Sequence, residues 1–375
     1  MRAHRSLSRT VVAGFTLVEM LVVLSVIGVL MGVTLPAIQA MRESSRKVTC
    51  VSNLKQIGTA LQTYHSSHRA FPLNYGNLGT DGDRVFCGRF SFDSGSASNT
   101  GRSWMLALLP FIDQQSLYNK VRFDQPLNFT DSTVTPAIQP NLEVAKTVIE
   151  TYLCPSDMVG DGTARDRDIN TFLPNIPLAT VNYNAVSGSN WIYTSPRDRI
   201  PRPLVNAYSW LSIEADPLKL WYNSGRHSAE PNGIDCGNGF INRGGWKDGI
   251  EASVDVTSVE DLHIGASNTL AVGEVSPRIH PKKWWYWFDG VIATVAIPIN
   301  YKPFQPPTNM GRPEEPRLNE WFRNYGFQSK HKGGSNFLIA DGNVRLIDQN
   351  IDILLYRNLG NIQSDDPNSV MPAND

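Results

Sequence analysis

The feature that most constrains this chain is an uncharged, apolar stretch close to its N-terminus. Positions 20–41 contain no Asp, Glu, Lys or Arg, and most of them are Leu, Val, Ile or Met. An α-helix rises about 1.5 Å per residue, so residues 15–35 would span about 30 Å, the thickness of the hydrocarbon core of a bilayer. The sequence therefore predicts one membrane-spanning helix.

The segment before this stretch is short and basic. Residues 1–14 read MRAHRSLSRTVVAG, with Arg2, Arg5 and Arg9 and no acidic residue. Positive charge upstream of a spanning helix places the N-terminus in the cytoplasm and the rest of the chain outside it. An ordinary secretory signal is disfavoured, because no pair of small residues suited to its cleavage follows the apolar run.

Glu19 is an acidic residue at the start of this apolar helix. A carboxylate inside a bilayer costs about 2–3 kcal/mol on insertion scales, so a role or a partner is expected for it. It could reach the headgroups from the helix end, or it could meet a cation. A plain signal anchor would explain the hydrophobicity but would leave Gly14 and Glu19 without a role.

The residues GFTLVE at positions 14–19 resemble the type IV prepilin motif. The resemblance implies that a prepilin peptidase and N-methyltransferase cuts between Gly14 and Phe15 and methylates Phe15. It also implies that Glu19 neutralises the new N-terminal amine of a neighbouring subunit. Like subunits would then pack together through this helix.

The helix is expected to continue beyond the membrane, with a kink at Pro36. An apolar stripe at helical spacing runs through Leu54, Ile57, Leu61 and Tyr64. We therefore predict a leader at 1–14, an N-terminal helix at 15–72 that spans the membrane at about 15–35 and continues as an amphipathic stalk, and an extracytoplasmic domain at 73–375. His65 and His68 lie one turn apart on the stalk, where surface or capping roles are favoured over metal binding.

Composition limits the partners and the disulfides of this chain. With 34 Lys+Arg against 35 Asp+Glu and a basic leader, the processed chain is mildly acidic, which disfavours nucleic-acid binding. The four cysteines show no CxxC spacing, which disfavours zinc ribbons and thioredoxin-like motifs. A disulfide between Cys87 and Cys236 is the favoured pairing, and four unpaired buried thiols are the alternative.

Several segments carry secondary-structure signals. We predict strands at 148–153, 269–274 and 285–299, and a buried helical segment at 104–111 that breaks at Pro110.

Near the C-terminus, Asp341-Gly342 lies between two short apolar runs, which is typical of a two-residue type I′ hairpin turn with positive φ at Gly342. This turn would pair Ile339 with Val344 and Phe337 with Leu346, placing all four on one face.

Further motifs follow the N-terminal signature in order along the chain. They are RxxxCxxNLKQIG from Arg46, CPSD at 154–157, NYNAVSGS at 182–189, ASNTLAVGE at 266–274 and HKGGSNFLIADG at 331–342. The chain resembles a bacterial domain-of-unknown-function family with a prepilin-like N-terminus and a His-x9-Asp-Gly signature. The resemblance implies an α+β, pilin- or pseudopilin-like fold, in which a long N-terminal helix packs on an antiparallel β-sheet head with long loops.

We expect no catalytic site, metal or cofactor. His331, Asp341 and Gly342 form the signature, and a structural role is favoured over an acid–base pair, because Asp341 is already explained as a turn residue. His331 is expected to hydrogen-bond loop backbone and to hold the hairpin to the stalk helix. Calcium remains an alternative at a loop rich in acidic residues, namely Asp157, Asp161, Asp166 and Asp168.

The aromatic run at 284–287 has two interpretations. If it is a strand, Trp285 and Trp287 share one face, and Trp284 shares the other with Tyr286. Core packing is favoured over a surface that binds a glycan or a protein.

These observations favour a non-enzymatic, single-pass protein of the cytoplasmic membrane, with its C-terminal domain in the periplasm or at the cell surface. It would be a structural or interaction component of a type IV pilus-like or type II secretion-like assembly. A membrane-anchored binding protein that never polymerises and an extracytoplasmic hydrolase are the alternatives.

Overall fold

A computed structural model describes residues 16–74, 77–78, 85–86, 103–123, 141–165, 176–189, 239–241, 246–247, 250–251, 256–279, 283–287, 290–301, 325–364 and 371. The chain divides into two compact units, Met1–Arg46 and Lys47–Asp375. The boundary between them falls inside one long helix.

That helix, α1, runs over Leu17–His68 and includes Pro36 without interruption. In its second part, buried residues recur every three or four positions: Cys50, Asn53, Leu54, Ile57, Gly58, Ala60 and Leu61. This spacing is that of one face of an α-helix, so the predicted apolar stripe is confirmed.

The other helical segments among the described residues are short. They are α2 (Trp104–Leu108), α3 (Gln115–Tyr118), α4 (Leu142–Lys146) and α5 (Ile353–Leu359), with 3₁₀ turns at Leu109–Ile112, Glu150–Tyr152, Val259–Asp261 and Ala266–Asn268. The Ser103 side chain caps α2, and Asp352 caps α5 by accepting hydrogen bonds from two backbone amides. The break predicted near Pro110 is present, since the α-helix changes there to a 3₁₀ turn.

Eleven strands occur in the described part of the chain. They are β1 (Asn77–Leu78), β2 (Val85–Phe86), β3 (Thr163–Arg165), β4 (Pro177–Ala179), β5 (Tyr183–Val186), β6 (Trp246–Lys247), β7 (Ile250–Glu251), β8 (Leu270–Glu274), β9 (Ile292–Ala293), β10 (Gly334–Ile339) and β11 (Val344–Asp348).

The main sheet has five strands in the order β11-β10-β8-β5-β9. Neighbouring strands within this sheet are antiparallel, except for β5 and β9, which are parallel. The fold is therefore α+β as predicted, with a sheet that is antiparallel except at one edge.

Both faces of the sheet are buried at β5, β8, β9 and β10, whereas the edge strand β11 is partly exposed. Because successive side chains of a strand point to opposite faces, Leu338 packs in a core cluster with Leu54 and Trp104, whereas Phe337 and Ile339 pack in a second cluster. The second cluster is completed by the C-terminal helix α5, which contributes Tyr356 and Leu359.

The register predicted for the C-terminal hairpin is wrong by one residue. The structure pairs Leu338 with Val344 and Phe337 with Arg345, so residues 340–342 connect the strands. Ile339 N donates to Asn343 O at 2.7 Å, and Gly342 adopts φ +93°. A three-residue loop that ends in a left-handed glycine is the next most common hairpin connection. The positive φ expected at Gly342 is confirmed.

One predicted strand is wrong, because residues 148–153 contain a 3₁₀ turn at Glu150–Tyr152. The strand predicted at 285–299 is confirmed at Ile292–Ala293, and the other described residues of that range lie outside strands. Tyr152 is fully buried and stacks at an angle on Trp285, with 6.1 Å between ring centroids. Apolar and aromatic content marked these segments as buried without fixing their backbone conformation.

Candidate functional site

The N-terminal signature begins a helix. Thr16 N and Thr16 Oγ1 donate to Glu19 Oε2 at 2.8 and 2.7 Å, and Glu19 N donates to Thr16 Oγ1 at 3.3 Å. This reciprocal arrangement is a capping box, which satisfies backbone amides at a helix start. The Thr-x-x-Glu pattern is readable in the sequence, although the capping box was not predicted from it. Gly14 and Phe15 lie outside the described residues.

The part of α1 that follows is apolar on all sides and exposed along its length. Large side chains from Leu17 to Met41 are between 44% and 79% exposed, and α1 is a helix long and apolar enough to cross a membrane. A helix that is apolar all round requires an apolar environment. This segment of the protein is therefore suited to anchor it in a membrane.

In the second unit, the sequence motifs converge on one buried site. Four side chains, which we call the Cys–His–Glu cluster, have their potential ligand atoms within 4.8 Å of one another: Cys50, Cys154, Glu274 and His331. Cys50 lies on α1, Cys154 follows the 3₁₀ turn at Glu150–Tyr152, Glu274 ends β8, and His331 precedes β10. Each residue comes from a different motif of the sequence.

Cys50 and Cys154 form a disulfide across a sequence separation of 104 residues. The hypothesis of four unpaired thiols is therefore wrong. The pairing that the sequence analysis favoured, Cys87 with Cys236, lies outside the described residues. The observed pair joins α1 to the CPSD motif, and only tertiary packing could reveal it.

His331 lies against this disulfide. Its Nε2 is 3.6 Å from Cys154 Sγ and 3.3 Å from Glu274 Oε1, and the side chains of His331 and Glu274 are buried. His331 was expected to hold the hairpin to α1, and this role stays a prediction. Two other contacts join the hairpin to α1. Gln62 Nε2 donates to Ala340 O at 2.6 Å, and Gly58 packs closely on Leu338.

Glu274 is held by two donors from one residue. Asn336 N donates to Oε2 and Asn336 Nδ2 donates to Oε1, each at 2.9 Å. These bonds follow from the sheet, because β10 lies beside β8 and brings Asn336 next to the end of β8. A buried carboxylate requires such partners, so β10 fixes the orientation of Glu274.

Two asparagines fix the chain around Cys154. Asn182 Oδ1 accepts from Cys154 N at 3.1 Å, while Asn182 Nδ2 donates to Asp157 O and Val275 O, each at 3.3 Å. From α1, Asn53 Nδ2 donates to Leu153 O at 2.7 Å. The CPSD segment is thereby tied to α1 and to the strands β5 and β8.

Tyr183 also lies beside the cluster. Its hydroxyl donates to Cys50 O at 3.1 Å, and burial together with the charge of Glu274 raises its pKa well above the usual value. Tyr183 therefore stays neutral and acts as a hydrogen-bond donor.

Asp157 of the CPSD motif forms ion pairs at the edge of the cluster. Its Oδ1 lies 3.3 Å from Arg278 Nε and 3.8 Å from Lys330 Nζ. Burial raises the pKa of Asp157, the charge of Glu274 raises it further, and the two cations oppose this.

The predicted calcium loop is only partly described. Asp161 is exposed and accepts hydrogen bonds from Thr163. Asp166 and Asp168 lie outside the described residues, so the calcium site stays a prediction.

Asp341 and Gly342 occupy the hairpin turn. The Asp341 carboxylate accepts from Asn343 N at 2.9 Å and from Asn343 Nδ2 at 3.0 Å. Asp341 is exposed, whereas His331 is buried against the disulfide. The signature residues are thus divided between a turn and the buried cluster.

The aromatic run packs mainly in the core. Trp285 and Tyr286 are both buried, and Trp284 and Trp287 are half-buried with ring centroids 5.7 Å apart. The alternation expected of a strand is wrong, because residues 285–287 form a turn. The preference for core packing is confirmed for Trp285, whose Nε1 donates to Thr147 O at 3.0 Å.

His65 and His68 act locally at the end of α1. His68 stacks on Tyr64 with ring centroids 4.0 Å apart, and its Nδ1 lies 3.0 Å from Tyr64 O. His65 Nε2 accepts from Val259 N at 3.4 Å. The sequence favours surface or capping roles for these residues, and the exposed position of His68 and the hydrogen bond of His65 are consistent with them.

As it stands, the cluster is suited to joining elements of the fold. The two sulfurs are bonded to each other, so neither is available as a nucleophile or a metal ligand. Neither Glu274 nor the observed cysteine pair was predicted from the sequence. A usable signal was present, since four of the separate motifs each contribute one residue with a thiol, carboxylate or imidazole group to the cluster.

In comparison with known proteins, the N-terminal part of the chain and the remainder match two different family models. A family described as "Protein of unknown function (DUF1559)" matches residues 39–354, and a "Prokaryotic N-terminal methylation motif" matches residues 9–35. The chain is also similar to "Competence protein ComGC" of Halalkalibacterium halodurans, with 36% identity over 70 residues, which cover 19% of this chain and 69% of that protein. No solved structure matches the chain.

The methylation motif and the exposed apolar helix together identify a prepilin-like, membrane-anchored protein. The family match extends over the second part of α1, the main sheet and every member of the Cys–His–Glu cluster. The chain therefore belongs to the family described as a protein of unknown function (DUF1559), and it carries a prokaryotic N-terminal methylation motif at its start.

Proposed function

We propose that this protein is a non-enzymatic subunit of a type IV pilus-like or type II secretion-like envelope assembly. Prepilin peptidase cuts it between Gly14 and Phe15 and methylates Phe15, and like subunits pack through the apolar part of α1. One observation carries the proposal: residues 17–41 form an exposed, all-round apolar helix whose single ionisable group, Glu19, lies in its first turn.

The position of Glu19 fits a role in assembly. In the single chain its Oε2 accepts from Thr16, which is a local partner and carries no full positive charge. A carboxylate inside a membrane is stabilised by a cation, and cleavage after Gly14 would supply one as the amine of Phe15 in a neighbouring subunit. Glu19 would then bridge two chains.

The proposed topology places the N-terminus in the cytoplasm and residues 47–375 in the periplasm or at the cell surface. The basic residues of 1–14 support this orientation. The Cys50–Cys154 disulfide fits the same compartment, because disulfides persist mainly in oxidising surroundings.

Processing is tested by mass spectrometry of the protein isolated from its native membrane. We expect a mature chain that begins with N-methylated Phe15. A chain that still begins at Met1 contradicts processing and leaves a plain membrane anchor.

Assembly is tested by co-purifying tagged and untagged copies of the chain in a mild detergent. Glu19→Ala is expected to be processed normally but to lose co-purification by at least about tenfold, since it removes the proposed counter-charge. Glu43→Ala is the matched control, because Glu43 is an exposed acid on α1 that pairs with Arg46 at 3.6 Å. Equal co-purification of Glu19→Ala and wild type contradicts the role of Glu19, and a wild-type chain that never co-purifies supports an anchor that does not polymerise.

A further inference from the structure

The Cys–His–Glu cluster has the composition of a metal site. We propose that it binds one zinc ion whenever its two cysteines are reduced, so that the disulfide and the zinc site are alternative ways of closing the same part of the fold. This inference is independent of the proposed assembly, because the cluster lies within the second unit.

The ligand set favours zinc over the alternatives. Two thiolates, an imidazole and a carboxylate form a borderline-soft set with four ligands, which matches the tetrahedral preference of Zn²⁺. Calcium and magnesium prefer oxygen ligands alone and are disfavoured by two sulfurs. All four residues are buried, as expected for a structural site with no position open to substrate.

The distances already approach those of a tetrahedral site. With zinc–sulfur bonds of about 2.3 Å and zinc–nitrogen or zinc–oxygen bonds of about 2.0–2.1 Å, neighbouring ligand atoms lie roughly 3.3–3.8 Å apart. His331 Nε2 is 3.6 Å from Cys154 Sγ and 3.3 Å from Glu274 Oε1. Two edges of the tetrahedron are thus in place while the cysteines are still bonded to each other.

Hydrogen bonds from neighbouring residues hold the proposed ligands in place. Asn336 donates twice to the Glu274 carboxylate, and Asn182 holds the backbone of Cys154. Such contacts fix ligand orientation and strongly affect metal affinity. Glu274 also provides a buried negative charge that a bound cation would compensate.

The disulfide and the zinc site interconvert by reduction and oxidation of the two cysteines. A dithiol reductant transfers two electrons and two protons to the Cys50–Cys154 bond, giving two thiols and an oxidised dithiol. Zinc then binds the two thiolates, and the two thiol protons pass to solvent. When zinc leaves, a disulfide-bearing oxidant removes two electrons and two protons from the thiols and restores the bond.

The test uses the full-length chain in detergent, either oxidised or reduced with a phosphine without oxygen. Each sample receives zinc chloride, excess metal is removed by gel filtration, and bound zinc is measured by mass spectrometry. We expect about one zinc ion per reduced chain and essentially none per oxidised chain. Cobalt in place of zinc should give thiolate charge-transfer absorption and the visible bands of a tetrahedral site.

Variants separate this site from adventitious binding to thiols. His331→Ala and Glu274→Gln should each weaken zinc binding to the reduced chain by at least about tenfold. His263→Ala, which removes an exposed histidine, is the control and should bind zinc as wild type does. Equal binding by wild type and His331→Ala overturns the proposal.

Reduction could also unfold the chain, so near-ultraviolet circular dichroism is recorded in parallel. If the reduced chain unfolds, zinc should restore the folded signal for wild type and leave His331→Ala unfolded. A reduced chain that stays folded without binding zinc overturns the proposal, and so does an unfolded chain that zinc does not restore.

Discussion

The two parts of α1 have the same secondary structure and opposite environments. Residues 17–41 are apolar on every side and exposed, whereas residues 47–68 carry one buried stripe and a polar remainder. The first part therefore depends on a membrane or on neighbouring helices. The second depends on the rest of the unit Lys47–Asp375, and we call this unit the head. Helix formation is common to both, and the distribution of apolar residues around the axis decides what each part requires.

The largest difference between the two parts is expected when a leucine is replaced by alanine and the free energy of unfolding is measured. Leu54 is fully buried and Leu24 is 62% exposed. Leu54→Ala should lower the free energy of unfolding of the head by about 2–5 kcal/mol, because it leaves a cavity. Leu24→Ala should leave that free energy unchanged.

Both leucine variants are measured by urea unfolding in detergent, followed by near-ultraviolet circular dichroism. If Leu24→Ala destabilised the head as strongly as Leu54→Ala, the division of α1 into two environments would be wrong.

Glycine-to-alanine substitutions should also affect the two parts of α1 differently, with a smaller effect on the free energy of unfolding. A Cβ added to Gly58 would lie 2.7 Å from Leu338 Cδ1, whereas a Cβ on Gly32 would meet no atom within 4 Å. Gly58→Ala should therefore destabilise the head by about 1–3 kcal/mol, since it crowds a packed contact.

Gly32→Ala is the matched control for Gly58→Ala and should not change head unfolding. Its own effect is expected on helix content in micelles, which should rise slightly, because Ala favours helix more than Gly. Equal thermal midpoints for wild type and Gly58→Ala would show that α1 and the hairpin are packed less closely than the structure has them.

The smallest expected effect is a change in pH dependence within the head. The folded-state pKa of Asp157 is raised above 3.8, mainly by burial. A raised pKa of an acid means that its favourable contribution is present at low pH and is lost as the pH rises through the folded-state value. The free energy of unfolding of the wild-type head should therefore fall as the pH rises from 3.8 through the folded-state pKa of Asp157.

Asp157→Asn should flatten that part of the pH profile, because it removes the titrating group. The variant is compared with Glu260→Gln. Glu260 is an exposed acid whose pKa is lowered by hydrogen bonds from its own backbone amide and from the Ser258 side chain. Urea midpoints measured from pH 4 to 7 give the slopes, and identical slopes for wild type and Asp157→Asn would contradict the role of burial at Asp157.

Local patterns in the sequence were sufficient for α1 and for strand β8. The stripe of Leu54, Ile57 and Leu61 predicts a helical face because its spacing is a local property of the backbone. The hairpin was located correctly, but its register was not. Both faces of β10 are buried, so a one-residue shift moves apolar residues to another apolar face, and hydrophobic patterning cannot exclude it.

The cluster around the disulfide shows the opposite case. Cys50 and Cys154 are 104 residues apart, and Glu274 and His331 come from still more distant segments. The motifs marked these residues individually, but no spacing along the chain indicates which of them meet. The pairing of β10 with β8 brings Asn336 beside Glu274, and the packing of the CPSD segment against α1 and the sheet brings Cys154 beside His331.

By itself, the sequence determined that this protein has an apolar anchor with a prepilin-type start, an amphipathic continuation of the same helix and a C-terminal hairpin. These features depend on composition and on short-range periodicity, which a chain carries before it folds. The tertiary structure alone decided the cysteine pairing, the hairpin register and the convergence of a histidine, a carboxylate and two sulfurs. The cysteine pairing and this convergence depend on contacts between distant segments, which form only when the core excludes water. The hairpin register depends on how the two buried faces of β10 pack in the core.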